Sequence, residues 1–154
     1  MDSPAPIHFR YRRLVEFADT DLAGIMHFAN YFRFVESAEH AFFRSLGFSI
    51  HSSEGSRHDG WPRIEVTCKY HRPARFQETL EVRLHVTELR TTSLTYAFAI
   101  HSADAPGEPL VATGTFGIIH VELDTATREI RKTPIPAPLR AKLEAAMATT
   151  LKNP

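Results

Sequence analysis

The chain has 154 residues, 43% of them hydrophobic, enough for one domain to bury a core of its own. Its 18 basic and 18 acidic side chains cancel, which argues against a protein whose main task is to grip nucleic acid by backbone charge. The lone Cys68 excludes an intramolecular disulfide, there is no basic and apolar leader, and no run nears the roughly twenty apolar residues of a membrane span, so a single domain over 1–154 in a reducing cytoplasm is expected.

From Ile7 to Phe17 the apolar residues Ile7, Phe9, Tyr11, Val15 and Phe17 fall on odd positions, a period of two that predicts a strand ending at Ala18-Asp19-Thr20-Asp21. The period then changes. Phe28, Tyr31, Phe32, Val35, Ala38, Phe42 and Leu46 recur at three and four, and Gly47 stands where a helix would stop. Phe34 and Phe43 lie off this stripe, so the helix is expected to be buried on several sides. Residues 49–62 are rich in Ser, Gly, His and charge and read as a loop. Four strands follow: one with Ile64, Val66, Cys68 and Tyr70, one with Leu80, Val82, Leu84 and Val86, one with Leu94, Tyr96, Phe98 and Ile100, and one from Leu110 to Leu123. The Ala-rich tail from Pro138 to Leu151 predicts a short helix. One strand, one long helix and four antiparallel strands form an α+β arrangement in which a sheet of about five strands wraps a helix. The edges and outer face of such a sheet are poorly covered, so a homo-dimer or homo-tetramer is expected.

The chemistry is concentrated where the first strand gives way to the helix. Asp19-Thr20-Asp21 brings two carboxylates to a turn, with Gly24, His27, Asn30 and Tyr31 beside them. Asp-x-Asp is common turn chemistry, and either Asp could cap the helix or close an Asx-turn. Alternatively, one carboxylate serves catalysis.

The run Asp19-Thr20-Asp21, Gly24 and Ala29-Asn30-Tyr31 resembles the signature of the hotdog-fold 4-hydroxybenzoyl-CoA thioesterase family and of its Tol-Pal-associated acyl-CoA thioesterase relatives. The likeness continues through Pro62 and Tyr70-His71-Arg72-Pro73-Ala74-Arg75 to Glu78 and Leu80. It implies the hotdog fold, hydrolysis of an acyl-CoA thioester, and Asp21 as the catalytic carboxylate. Such a group attacks the carbonyl carbon or deprotonates a water that does so. The resemblance also implies a backbone N–H at Gly60 as the donor to the carbonyl oxygen, and Asn30 and Tyr31 as groups that orient Asp21 or a water. His27 departs from the pattern: the Tol-Pal-associated relatives carry their His where this chain has Phe28, and one residue rotates a helical side chain by about 100°.

Coenzyme A carries phosphates, and the resemblance places Arg90, Arg128, Arg131 and Lys132 where relatives meet them. No cofactor is implied beyond coenzyme A as part of the substrate. Cys68 reads as core, and His8, His71, His85, His101 and His120 are scattered along strands without ligand spacing, so no metal is expected. Neither nucleic acid nor a membrane is expected as a partner. Three other readings stand beside the acyl-CoA enzyme: a carrier-protein thioesterase, a non-catalytic acyl-binding or interaction protein, and a dehydratase. His27-Phe28-Ala29-Asn30 lacks the Pro and Gly of the dehydratase His-Phe-Pro-Gly motif.

Overall fold

The computed structural model describes residues 6–150. Strand β1 (Phe9–Leu14) leads through a 3-10 turn (Phe17–Asp19) into helix α1 (Asn30–Ser45). Then come β2 (Ser53–Glu54), β3 (Arg57–Gly60), β4 (Arg63–Tyr70), β5 (Thr79–Leu89), β6 (Ser93–Ser102), β7 (Leu110–Ile119), β8 (Val121–Asp124), β9 (Ile130–Lys132) and helix α2 (Ala137–Met147). An antiparallel sheet in the order β1-β5-β6-β7-β4 carries α1 on one face, the expected α+β hotdog arrangement. A second, smaller sheet in the order β2-β3-β8-β9 was not foreseen.

The core follows from the periodicities. Leu94, Tyr96, Phe98 and Ile100 of β6 are buried while their neighbours are half-exposed. Across from them α1 buries Tyr31, Phe34, Val35, Ala38, Phe42 and Phe43, which span more than one face, as the residues off the stripe predicted. Gly47, at φ +86°, ends the helix in a Schellman turn: Phe48 N–H donates to the Phe43 carbonyl and Gly47 N–H to that of Arg44, both at 3.0 Å.

Four expectations are corrected. Helix α1 starts two residues after Phe28, because Met26 N–H is tied to the Ala74 carbonyl at 2.8 Å and holds the chain extended; Phe28 is 65% exposed and no part of the core. Residues 49–62 are more than a loop, since β3 finds a partner in β8. The strand expected from Leu110 to Leu123 breaks at His120, and its last residues leave the main sheet for the small one. Edge strand β4 leaves its apolar side bare, with Ile64 59% and Val66 46% exposed. The tail helix forms as expected over Ala137–Met147, while Leu151 lies outside the described residues.

One core residue resists its surroundings. Glu39 on α1 is fully buried and meets Arg63 of β4, Oε2 to Nη2, at 2.6 Å. Burial pushes its carboxyl up to about 7, against the pull of Arg63. A carboxyl raised in the folded state stabilises fully below its ordinary value near 4.5, and that stability is lost as pH rises toward 7. Glu39→Gln keeps an acceptor for Arg63 and carries no charge. Its unfolding free energy relative to wild type is therefore expected to improve by up to roughly 3 kcal/mol between pH 4.5 and 8, measured by urea melts across that range.

Candidate active site

Between β1 and α1 the chain builds a turn with two carboxylates in unequal settings. Asp19 is buried: Oδ2 accepts the Glu16 N–H at 2.9 Å and Oδ1 faces Arg13 at 3.6 Å. Its carbonyl takes the His27 N–H at 2.8 Å and the Asn30 side-chain amide at 2.9 Å. Asp19 is thus the structural member of the pair. Asp21 is exposed; Oδ1 accepts the Ala23 N–H at 2.8 Å, and Oδ2 has no hydrogen-bond partner among the described residues. Gly24 N–H closes the turn onto the Asp21 carbonyl at 3.0 Å, and its φ of +72° explains a glycine there, for a Cβ would meet nothing within 4 Å.

Asp21 opens onto a cavity of about 390 Å³. Ile25, Met26, Phe28, Tyr31, Tyr70 and Pro73 give it apolar and aromatic walls, and His71 and Arg72 add polar ones. The Tyr31 hydroxyl accepts the Ala74 N–H at 3.3 Å, and its ring meets that of Tyr70 edge-on at 5.0 Å. Tyr70 in turn donates to the Phe28 carbonyl at 3.0 Å. Burial raises both phenols, that of Tyr70 to about 12 with help from its bond with Cys68, so both keep their O–H. Arg72 pairs with Glu78. Tyr70, His71 and Arg72 were missed as cavity-lining residues in the sequence, although they open the run Tyr70 to Arg75 of the resemblance. The alternation of β4 assigned Tyr70 to a buried strand face, whereas at the sheet edge it turns toward the cavity.

The other sequence candidates are distributed unevenly. Asn30 is near but indirect, since its amide holds the Asp19 carbonyl and not Asp21. His27 does not line the cavity; its Nδ1 accepts the Ala29 N–H at 3.3 Å. Gly60 lies elsewhere, paired with Val121 on the small sheet and followed by Trp61, whose ring packs on Phe43 at 5.3 Å. Tyr31 and Phe43 are twelve residues apart on α1, so about 18 Å of helix separates the Gly60 end from the Asp21 cavity. Val121 also pairs with Lys132, which puts Lys132 about 10 Å from Gly60 across two strand spacings. Arg131 is held by Glu122 at 3.0 Å, Arg128 occupies the β8–β9 turn at φ +62°, and Arg90 is exposed at the β5–β6 turn, bound to Glu88 at 2.8 Å. That turn docks beside the same end, with Thr92 accepting the His120 N–H at 2.7 Å. Gly60 and the basic residues thus gather at one end of α1, and Asp21 sits at the other. Among the described residues no three His, Cys, Asp or Glu side chains come together to hold a metal.

A buried Asp that builds the turn, a second Asp left free over a cavity and a tyrosine from the first turn of the helix fit the signature read in the sequence. The family model of the thioesterase-like superfamily matches residues 15–143. The chain belongs to the thioesterase-like superfamily. A putative esterase of Aquifex aeolicus is 34% identical over 96 residues, 62% of this chain and 74% of that protein. The acyl-CoA thioester hydrolase YbgC of Escherichia coli is 32% identical over 96 residues, 62% of this chain and 71% of its own length. The solved structure of a gentisyl-coenzyme A thioesterase superposes with a TM-score of 0.71 at 26% identity, over 86% of this chain and 98% of that one. No helix of the described residues is long and apolar enough to cross a membrane.

Proposed function

We propose that this chain is an acyl-CoA thioesterase that hydrolyses its substrate to the free acid and coenzyme A, with Asp21 carrying the chemistry. The observation behind the assignment is the free Oδ2 of Asp21 at the mouth of an aromatic-walled cavity, while Asp19 serves the turn. Asp21 either deprotonates a water that attacks the thioester carbonyl or attacks it directly, forming an anhydride that water then splits. In both routes the C–S bond breaks and the thiolate of coenzyme A leaves. Tyr31 and Asn30 hold the turn and cavity wall that aim Asp21. The polarising donor to the carbonyl oxygen comes from the Gly60 end of a second copy of the chain.

Strand β4 is the reason for invoking a second copy. Its exposed edge runs from Arg63, near Gly60, to Tyr70, in the wall of the Asp21 cavity, with Ile64 and Val66 bare between them. Antiparallel pairing of two such edges sets the Gly60 end of one chain against the Asp21 end of the other, and it covers the bare side chains. The enzyme works as a homo-oligomer of one hotdog domain per chain, in the cytoplasm.

The basic residues beside Gly60 then meet the phosphates of coenzyme A. Lys132 is exposed and has no ion-pair partner among the described residues, whereas Arg131 is committed to Glu122. Lys132→Ala is expected to raise KM about three- to tenfold with kcat within about twofold, and Arg131→Ala to raise it less, in steady-state assays at low salt. The reading as a whole is tested by release of thiol from aromatic, short-chain and medium-chain acyl-CoA, followed with a thiol-reactive dye. At least one of these is expected to turn over well above a heat-inactivated control; no turnover across the panel would leave a binding protein.

A further inference from the structure

The start of α1 is held from outside the helix. Its N-cap residue is Ala29, whose methyl cannot accept from the free N–H groups of the first turn. Two side chains tie the approach instead: the Asn30 amide donates to the Asp19 carbonyl at 2.9 Å, and the Tyr70 hydroxyl donates to the Phe28 carbonyl at 3.0 Å. The two ends of the second tie differ in firmness. Tyr70 closes β4, paired with Ala112 of β7, and the N–H groups of His71 and Arg72 after it donate to the Val111 carbonyl at 2.8 and 3.3 Å. Phe28 lies ahead of the helix, and its ring, 65% exposed, packs on the neighbouring His27 with centroids 4.5 Å apart. The Tyr70 ring also meets that of Tyr31 edge-on at 5.0 Å. Phe28 and Tyr31, both walls of the Asp21 cavity, are thus joined to the sheet through one side chain.

We propose that Tyr70 is a positioning residue for substrate choice: its hydroxyl latches Phe28 to the end of β4 and so sets the width of the pocket that receives the acyl group. The latch matters on the reading of Asp21 as the thioesterase carboxylate, which makes the cavity beside it the acyl site. Selectivity between acyl groups is a difference in how well each fits in the transition state, and a wall that yields fits several of them about equally. Tyr70→Phe removes the hydrogen bond to Phe28 and leaves the ring on Tyr31 and the backbone pairing with β7 in place. Phe28→Ala takes away the wall itself and keeps the carbonyl that Tyr70 reaches. Phe28 and Tyr70 are both exposed and lie outside the core, so neither change opens a hole in it. Both act on one wall, so their effects on selectivity are not expected to add.

The test measures kcat/KM of wild type, Tyr70→Phe, Phe28→Ala and the double variant with benzoyl-CoA, butanoyl-CoA and octanoyl-CoA, with thermal melts beside them. Wild type is expected to separate the best of the three from the worst by about thirtyfold or more. Tyr70→Phe is expected to narrow that ratio about fivefold, the net worth of one neutral hydrogen bond. A tyrosine that only stabilised the fold would lower all three constants together and leave the ratio where it was. Phe28→Ala is expected to narrow the ratio at least as far, and the double variant to match Phe28→Ala within about twofold. An unchanged ratio in Tyr70→Phe, or a wild type that does not discriminate, overturns the proposal and leaves the thioesterase reading standing. So does a double variant in which the two effects multiply, for the hydroxyl then acts on the acyl group itself and not through Phe28. Release of thiol from none of the three by wild type removes the thioesterase reading and the proposal with it.

Discussion

Asp21→Asn is expected to lower kcat about a hundredfold or more, equivalent to roughly 2.7 kcal/mol of barrier, without a matching loss of stability. The reason is local. Among the described residues the Asp21 side chain accepts one hydrogen bond, from the Ala23 N–H, and the carbonyl of an asparagine accepts that bond equally well. What disappears is the negative charge at the cavity mouth, which neither a base nor a nucleophile can do without. Asp19→Asn provides the contrast, since Asp19 is buried, caps the 3-10 turn and faces Arg13. That variant is expected to lose about 1–3 kcal/mol of stability, the range for a lost cap joined to an unpaired buried group. Paired melts and steady-state kinetics separate the two carboxylates: one variant loses turnover and stays folded, and the other softens the fold.

The second large effect concerns where each half of the site resides. Asp21→Asn and Gly60→Pro are each expected to be nearly inactive alone, the first for want of the carboxylate and the second because a proline there breaks the pairing with Val121 and displaces that end of the site. Mixed by co-expression, the two variants are expected to recover about a quarter of wild-type activity, because half of randomly assorted dimers are mixed and each of these has one intact site. The recovery follows from the separation of about 18 Å along α1, which keeps Asp21 and Gly60 of one chain from sharing a substrate carbonyl. If one chain held a whole site, mixing would restore nothing. A Cβ at Gly60 would come within 3.1 Å of the Val121 side chain, so the melting temperature of Gly60→Pro is needed beside its activity.

The elements whose side chains alternate or recur within one layer were legible in the sequence. Leu94, Tyr96, Phe98 and Ile100 declared β6, and the three-four spacing from Tyr31 to Phe42 declared α1, because each pattern is bounded by the packing of a single face against the core. Pairing between distant segments was not legible. The short β3 has no hydrophobic period, and it is a strand because β8 lies alongside it, some sixty residues later in the chain. β4 misled in the opposite way: its alternation is real, but its apolar side has no cover among the described residues. At the site, the Asp-x-Asp turn was visible while the division of labour within it was not. That division depends on which carboxylate meets Arg13 and the Glu16 N–H and which faces open space.

Whether the carboxylate of Asp21 acts on a bound thioester is tested most directly in a single turnover, with enzyme in excess over an acyl-CoA that wild type hydrolyses and binding measured separately by calorimetry. Asp21→Asn should bind that thioester within a few-fold of wild type and release its thiol at least about a hundred times more slowly. Release within about tenfold of wild type by a variant that binds equally well would contradict the assignment.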